Sequence, residues 1–415
     1  MTTTATAVSV TAASPAPSRS DSGRERLDDI TGCRGIVALA VVVFHAWQFA
    51  RAGGQGAYAG TPLGAALASF DGIISWFFVT SAYLLFLPVA TRFLAGQDPG
   101  SARGFLVRRA LRVLPVYWLA ILIFWAYRNP VLPGNWVDLL EHLTLTQTFD
   151  SQRIFYTIAP AWTLSAEVGF YLLIPLIIVM LRRLPLAEWR PRARLAVLLA
   201  PPAALIVTSA VWNAIAIVSK TPFERWALWF NPIAWLGNFG LGMLLAVAVV
   251  LRRSRPLPTL ALLTTRITAL AGLGVSLTLH GDKPTEFVAF HNLNALCYAL
   301  LLATSVLAPP TSLWRRALAR PTLIWIGTIS YSLYIWHEPV LRWLDQHGQL
   351  SHDPAAFPAL AVMLCVLSTA AGAVSYYAIE KPLRNLNHLF TRAGRLHRPN
   401  PDIPPQAPAA SPAKR

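Results

Sequence analysis

The sequence predicts an all-α integral membrane protein, a bundle of about ten transmembrane helices with both termini in the cytoplasm. Three observations carry that prediction. Of 415 residues, 55% are hydrophobic and only 13% charged, whereas soluble domains carry about a quarter charged residues. Ten apolar stretches of about 20 residues are each long enough to cross about 30 Å of hydrocarbon; they lie near 34–50, 71–91, 111–127, 161–181, 195–218, 227–251, 261–279, 290–308, 322–344 and 357–379. The loops between them also alternate in charge, as expected where positive loops stay in the cytoplasm.

Residues 1–25 are rich in Thr, Ala, Ser and Pro without a hydrophobic run, so they read as a disordered tail and not as a secretory signal. A single membrane domain is expected over 26–388, followed by a Pro-rich basic tail over 389–415. Lys and Arg number 35 against 19 Asp and Glu, a formal charge of +16. On a soluble chain that excess would suggest nucleic acid, but its distribution excludes this. Arg103, Arg108, Arg109 and Arg112 precede span three, and Arg182, Arg183, Arg190, Arg192 and Arg194 separate spans four and five. Arg252, Arg253, Arg255 and Arg266 follow span six, Arg315, Arg316 and Arg320 follow span eight, and Arg384, Arg392, Arg395 and Arg398 follow span ten. The alternate loops are nearly neutral or acidic. Trp136, Trp162, Trp226 and Trp314 fit the aromatic belt at the membrane boundaries. Cys33, Cys297 and Cys365 are far apart in apolar surroundings, which offers neither a disulfide framework nor a metal site.

Ionisable groups inside spans are costly and therefore candidates for function. Arg34 and His45 stand eleven residues apart on span one, almost three helical turns, so they share a face about 16 Å apart. A neutral imidazole there suits general-base work; a histidine bonded to a neighbouring helix is the structural alternative. On span two Thr80, Ser81 and Ala82 are small enough for close helix packing, and Tyr83 either lines a cavity or belongs to the core. Arg109 and Arg112, three residues apart at the start of span three, face one way and suit the phosphates of a soluble donor; positive-inside anchoring is the competing reading. Glu167 enters span four as a carboxylate that needs a partner, an Arg or His of another span. Span nine carries His337 beside Glu338 and Pro339. Glu380-Lys381-Pro382 closes span ten, where a helix terminus with a local ion pair is expected.

Six of these segments in this order resemble the membrane-bound acyltransferase 3 family. The carriers are Arg34-Gly35 with His45, Phe77-Phe-Val-Thr-Ser-Ala-Tyr83, Arg109-x-x-Arg112 with Pro115-Val-Tyr-Trp118, Trp162-Thr-Leu-Ser-Ala-Glu167, Ile329-Ser-Tyr-Ser-Leu-Tyr-Ile-Trp-His337 and Ile379-Glu-Lys-Pro382. The chain departs from the family in having Thr31-Gly-Cys-Arg-Gly35 where an aspartate is usual, Ala82 for a glycine and Val168 for a second glutamate. Any role of that aspartate is then absent or taken by Asp28 or Asp29.

The resemblance implies an acyl-CoA-dependent O-acyltransferase of the inner membrane, with acetyl-CoA the foremost donor and no metal. It implies a membrane-domain-only type acting on a sugar, a glycolipid, an envelope glycan or a secondary metabolite such as a macrolide. His45, Arg34 and Glu167 are then expected at the catalytic centre, Arg109, Arg112 and Tyr83 at the donor, and His337 and Ser81 at the acceptor. A transporter or flippase of a lipid-linked sugar or small molecule is the rival class; no paired halves with interrupted helices favour it. The expected surroundings are the lipid bilayer, acyl-CoA and a hydroxyl-bearing acceptor.

Overall fold

The computed structural model describes residues 19–386 except 53–54, 132–133, 186–188, 253–254 and 282. The tail expected over 389–415, residues 1–18 of the other tail, and Arg253, Arg392, Arg395 and Arg398 lie outside the described residues. Residues 19–25 open the first helix, which starts ahead of the expected boundary; after Pro17 there is no proline to interrupt it.

Among the described residues ten long helices follow one another, one for each expected span. They are α1 (Arg19–Phe49), α2 (Ile74–Leu94), α3 (Ala102–Arg128), α4 (Trp162–Arg182), α5 (Pro191–Val218), α6 (Leu236–Leu251), α7 (Thr259–Ser276), α8 (Pro284–Val306), α9 (Pro321–Gln346) and α10 (Phe357–Ser375). Nine, taken with their flanking turns, are long and apolar enough to cross a membrane. The tenth, α9, has the length with 26 residues, but Ser330, Ser332, Tyr334, His337 and Glu338 interrupt its apolar character. All five are buried, so these polar groups of α9 face protein and not lipid, the expected place for such groups in a membrane bundle. Ser101 caps α3, accepting the Gly104 N–H at 3.1 Å, and Pro191, Pro284 and Pro321 stand at helix starts, where a missing N–H costs nothing.

α1 packs on α9 and α10, α6 lies between α2 and α5, and α7 pairs with α8. Helices in lipid gain little from hydrophobic burial against one another, so close approach rests on small residues. A methyl group added at Gly35 would stand 2.7 Å from the Leu323 carbonyl oxygen and 2.9 Å from the Gly327 nitrogen. One added at Gly242 would come within 2.8 Å of the Ala82 Cβ. The first contact presses the Arg34–His45 face of α1 towards the polar stretch of α9.

Loop contacts agree with the alternation of charge. At the end rich in arginine, Arg182 reaches Asp98 at 3.0 Å, and buried Asp29 holds buried Arg315 at 2.7 Å. At the other end Arg153 grips Glu141 through two hydrogen bonds of 2.8 and 2.9 Å and also pairs with Asp150. The Glu141 carboxylate raises the Arg153 pKa above its ordinary value. The short helix Trp136–Thr144 exposes Trp136 and Leu140 yet buries Asp138 and His142, whose partners include the Thr157 hydroxyl on Asp138 and the Tyr117 hydroxyl on the His142 carbonyl at 2.6 Å. The segment after this helix leads directly into α4.

Candidate active site

Arg34 and His45 do share a face of α1, and that face looks onto two cavities. His45 lies one turn before Phe49, the last residue of the helix. His45 therefore sits close to the end of the helix and Arg34 near its middle.

The cavity at the His45 end has a volume of about 370 Å³ and is lined by His45, Gln48, Asp71, Trp162, Glu338 and Arg342 among others. From α9, His337 brings its ring to 4.9 Å from that of His45, centroid to centroid. The Nδ1–H of His337 donates to the Tyr334 carbonyl oxygen at 2.5 Å, which leaves Nε2 as the lone-pair nitrogen. That Nε2 is buried without a partner. Gln48 hydrogen-bonds His45, and Glu338 accepts from Arg342 Nε and Nη2 at 3.1 and 3.0 Å. Of the two imidazoles only His45 lines the cavity, as a candidate proton acceptor for a hydroxyl that enters; His337 is buried behind it, packed against its ring, and lines neither cavity.

The cavity at the Arg34 end is tighter, about 50 Å³, and Arg34, Ser81, Thr163, Glu167 and Tyr334 line it. Ser81 donates its hydroxyl to Glu167 Oε1 at 2.5 Å. The hydrogen-bond partners of Glu167 are therefore the Ser81 and Tyr171 hydroxyls, while Arg34 and Arg109 act on it through electrostatics. Arg109 lies 6.0 Å above the Tyr171 ring and 5.9 Å from that of Phe105, and its Nε is buried without a hydrogen bond. Arg112 and Glu380 fall within electrostatic reach of Arg34 as well. Three arginines from α1 and α3 thus converge on two carboxylates, and the surplus positive charge suits a polyanion.

The sequence places Glu380 at a helix terminus. Its local ion pair with Arg384 exists at 3.7 Å, but the carboxylate is also 1% exposed and accepts the Ser332 hydroxyl at 3.0 Å. A π-helical turn, Tyr376–Glu380, aims it inward, and such turns recur at functional sites. An acid at the end of an apolar span was the one available signal. Tyr83 is buried in the core and lines neither cavity. Asp29 is committed to Arg315. Among the described residues no group of three His, Cys, Asp or Glu side chains is arranged to hold a metal ion.

Comparison with known proteins gives two kinds of match. The profile of a family described as an acyltransferase domain, acyltransferase 3, matches residues 27–377. Acyltransferase MdmB of Streptomyces mycarofaciens is 26% identical over 386 residues, covering 87% of this chain and 92% of the relative. O-acetyltransferase OatA of Staphylococcus aureus is 22% identical over 375 residues, covering 86% of this chain and 57% of its own length. No solved structure matches.

Proposed function

Because the chain belongs to the acyltransferase 3 family and is an O-acyltransferase, we propose that it takes an acyl group, acetyl foremost, from acyl-CoA and transfers it to a hydroxyl of a sugar, glycolipid, envelope glycan or secondary metabolite such as a macrolide. Ten helices cross the inner membrane in this reading, and both ends are cytoplasmic. The observation that carries it is His45, which lines a cavity of about 370 Å³ with the buried His337 ring of α9 packed against it, on the helix face that bears Arg34 about 16 Å away.

Arg34, Arg109 and Arg112 bind the phosphates of the donor, balanced at rest by Glu167 and Glu380. The pantetheine arm carries the thioester along the α1 face to the acceptor. His45 takes the hydroxyl proton as the oxygen attacks the thioester carbonyl; the C–S bond then breaks, and the proton passes from His45 to the leaving thiolate. His337 packs behind the His45 ring, and Gln48 keeps that ring oriented. General-base help of this type contributes about 10²- to 10⁴-fold.

The test is transfer of a radioactive acetyl group from acetyl-CoA to lipid, glycan and small-molecule fractions of the producing cells. The wild-type protein is expected to label one fraction and His45→Ala to insert normally and label none. A His45→Ala protein that transfers acetyl groups at the wild-type rate would remove the assignment.

A further inference from the structure

Tyr334 and Thr163 line the inner cavity and Pro160 lines the outer one, so these three residues form part of the wall between them. They meet in one knot. The Tyr334 hydroxyl donates to the Pro160 carbonyl at 3.0 Å, the Thr163 hydroxyl reaches the same carbonyl at 2.9 Å, and the two hydroxyls lie 2.8 Å apart. Phe77 sets its ring edge-on to Tyr334, 6.1 Å between centroids. The backbone carbonyl of Tyr334 is also the acceptor for His337 Nδ1. At about 50 Å³ the inner cavity has room for a few waters and none for a pantetheine arm.

We infer that Tyr334 is a gating residue, closed on Thr163 and Pro160 in this structure, and that its release opens the passage from the Arg34 side to His45. The inference rests on the proposed donor and acceptor sides. Two hydroxyl protons serve three oxygen contacts, so the knot exchanges partners without breaking helix packing, and each such bond is of modest net strength. Closure has a chemical use. A thioester that reaches His45 before the acceptor meets water instead: the water oxygen bonds to the acyl carbon, the C–S bond breaks, and free acid and thiol leave. A hydroxyl-latched ring between the two half-sites suppresses that loss until both substrates are bound.

The experiment uses the full chain in sealed membrane vesicles, with Cys33, Cys297 and Cys365 replaced by alanine and Ile74→Cys placing a thiol in the inner cavity. A small charged methanethiosulfonate is applied from the His45 side and the labelling rate measured. Tyr334→Phe, which keeps the ring and removes the hydroxyl, is expected to raise that rate at least tenfold. Thr163→Val is expected to raise it severalfold and carries the test should the first variant fail to fold. Release of thiol from acetyl-CoA without acceptor is expected to rise in the same order. Labelling unchanged in both variants overturns the gate. Faster labelling in a protein that never releases thiol from acetyl-CoA leaves the gate standing and counts against the donor assignment alone.

Discussion

Each arginine of the inner cluster faces a different part of the polyanion problem, and Arg112 is the one that reaches Arg34 and Glu380 together. A charge-assisted hydrogen bond is worth about 1.5–3 kcal/mol, so Arg112→Ala is expected to raise KM for acetyl-CoA about tenfold to a hundredfold while kcat changes little. With acetyl-pantetheine, which has no nucleotide phosphates, the same substitution should make no difference; steady-state kinetics on both donors checks it. Arg34, His45 and Glu167 were legible as candidates because a polar side chain inside an apolar run is costly and so stands out, and Arg109 and Arg112 because they stand three residues apart at the start of a span. Pairings were not. That His45 faces His337, that Glu167 takes a proton from Ser81 and that Glu380 bonds Ser332 depend on which helices touch. Tyr83 could be read from the sequence either as cavity wall or as core, and burial places it in the core, lining neither of the two cavities.

Close packing of α1 on α9 carries the site, because one helix supplies Arg34 and His45 and the other Tyr334 and His337. Gly35→Leu places a branched side chain where even a methyl would stand 2.7 Å from backbone. Overpacking of this kind separates elements that must touch. The variant is expected to yield at least tenfold less monodisperse protein by fluorescence-detected size exclusion. Asp29→Ala acts elsewhere on the same helix. It removes the carboxylate that faces the buried Arg315 at 2.7 Å, a loss of about 3–5 kcal/mol for a buried ion pair. Thermal unfolding in detergent should show a lower midpoint, and Arg315→Ala should lower it too. Helix positions were readable from apolar run lengths, and even α9 was placed correctly despite its polarity. The π-helical turn at Tyr376–Glu380 was not, since the extra residue in that turn has no marker in the chain.

Sidedness is a property of the whole molecule. Thr311 lies exposed in the loop between α8 and α9, and Gln349 is exposed in the loop between α9 and α10. In a background without the native cysteines, Gln349→Cys is expected to react with an impermeant maleimide on intact cells and Thr311→Cys only after lysis. Mass-tag gel shifts read the result, and the reverse pattern would put the arginine cluster on the wrong side for a cytoplasmic donor.

Hydrophobic run length and loop charge act along the chain, each within about 20 residues, and so the number of long helices, their order and the alternation of basic loops were determined by the sequence alone. The candidate groups followed from the same local rule, since an ionisable side chain in lipid is unfavourable wherever it occurs. Contact between helices remote in sequence was decided only in three dimensions. Glycine contacts let α1 approach α9, two histidines 292 positions apart in the chain meet, and a hydroxyl hydrogen bond sets Tyr334 on the Pro160 carbonyl, because in a bilayer the choice of neighbour rests on shape and hydrogen bonding and not on apolar character that every span shares.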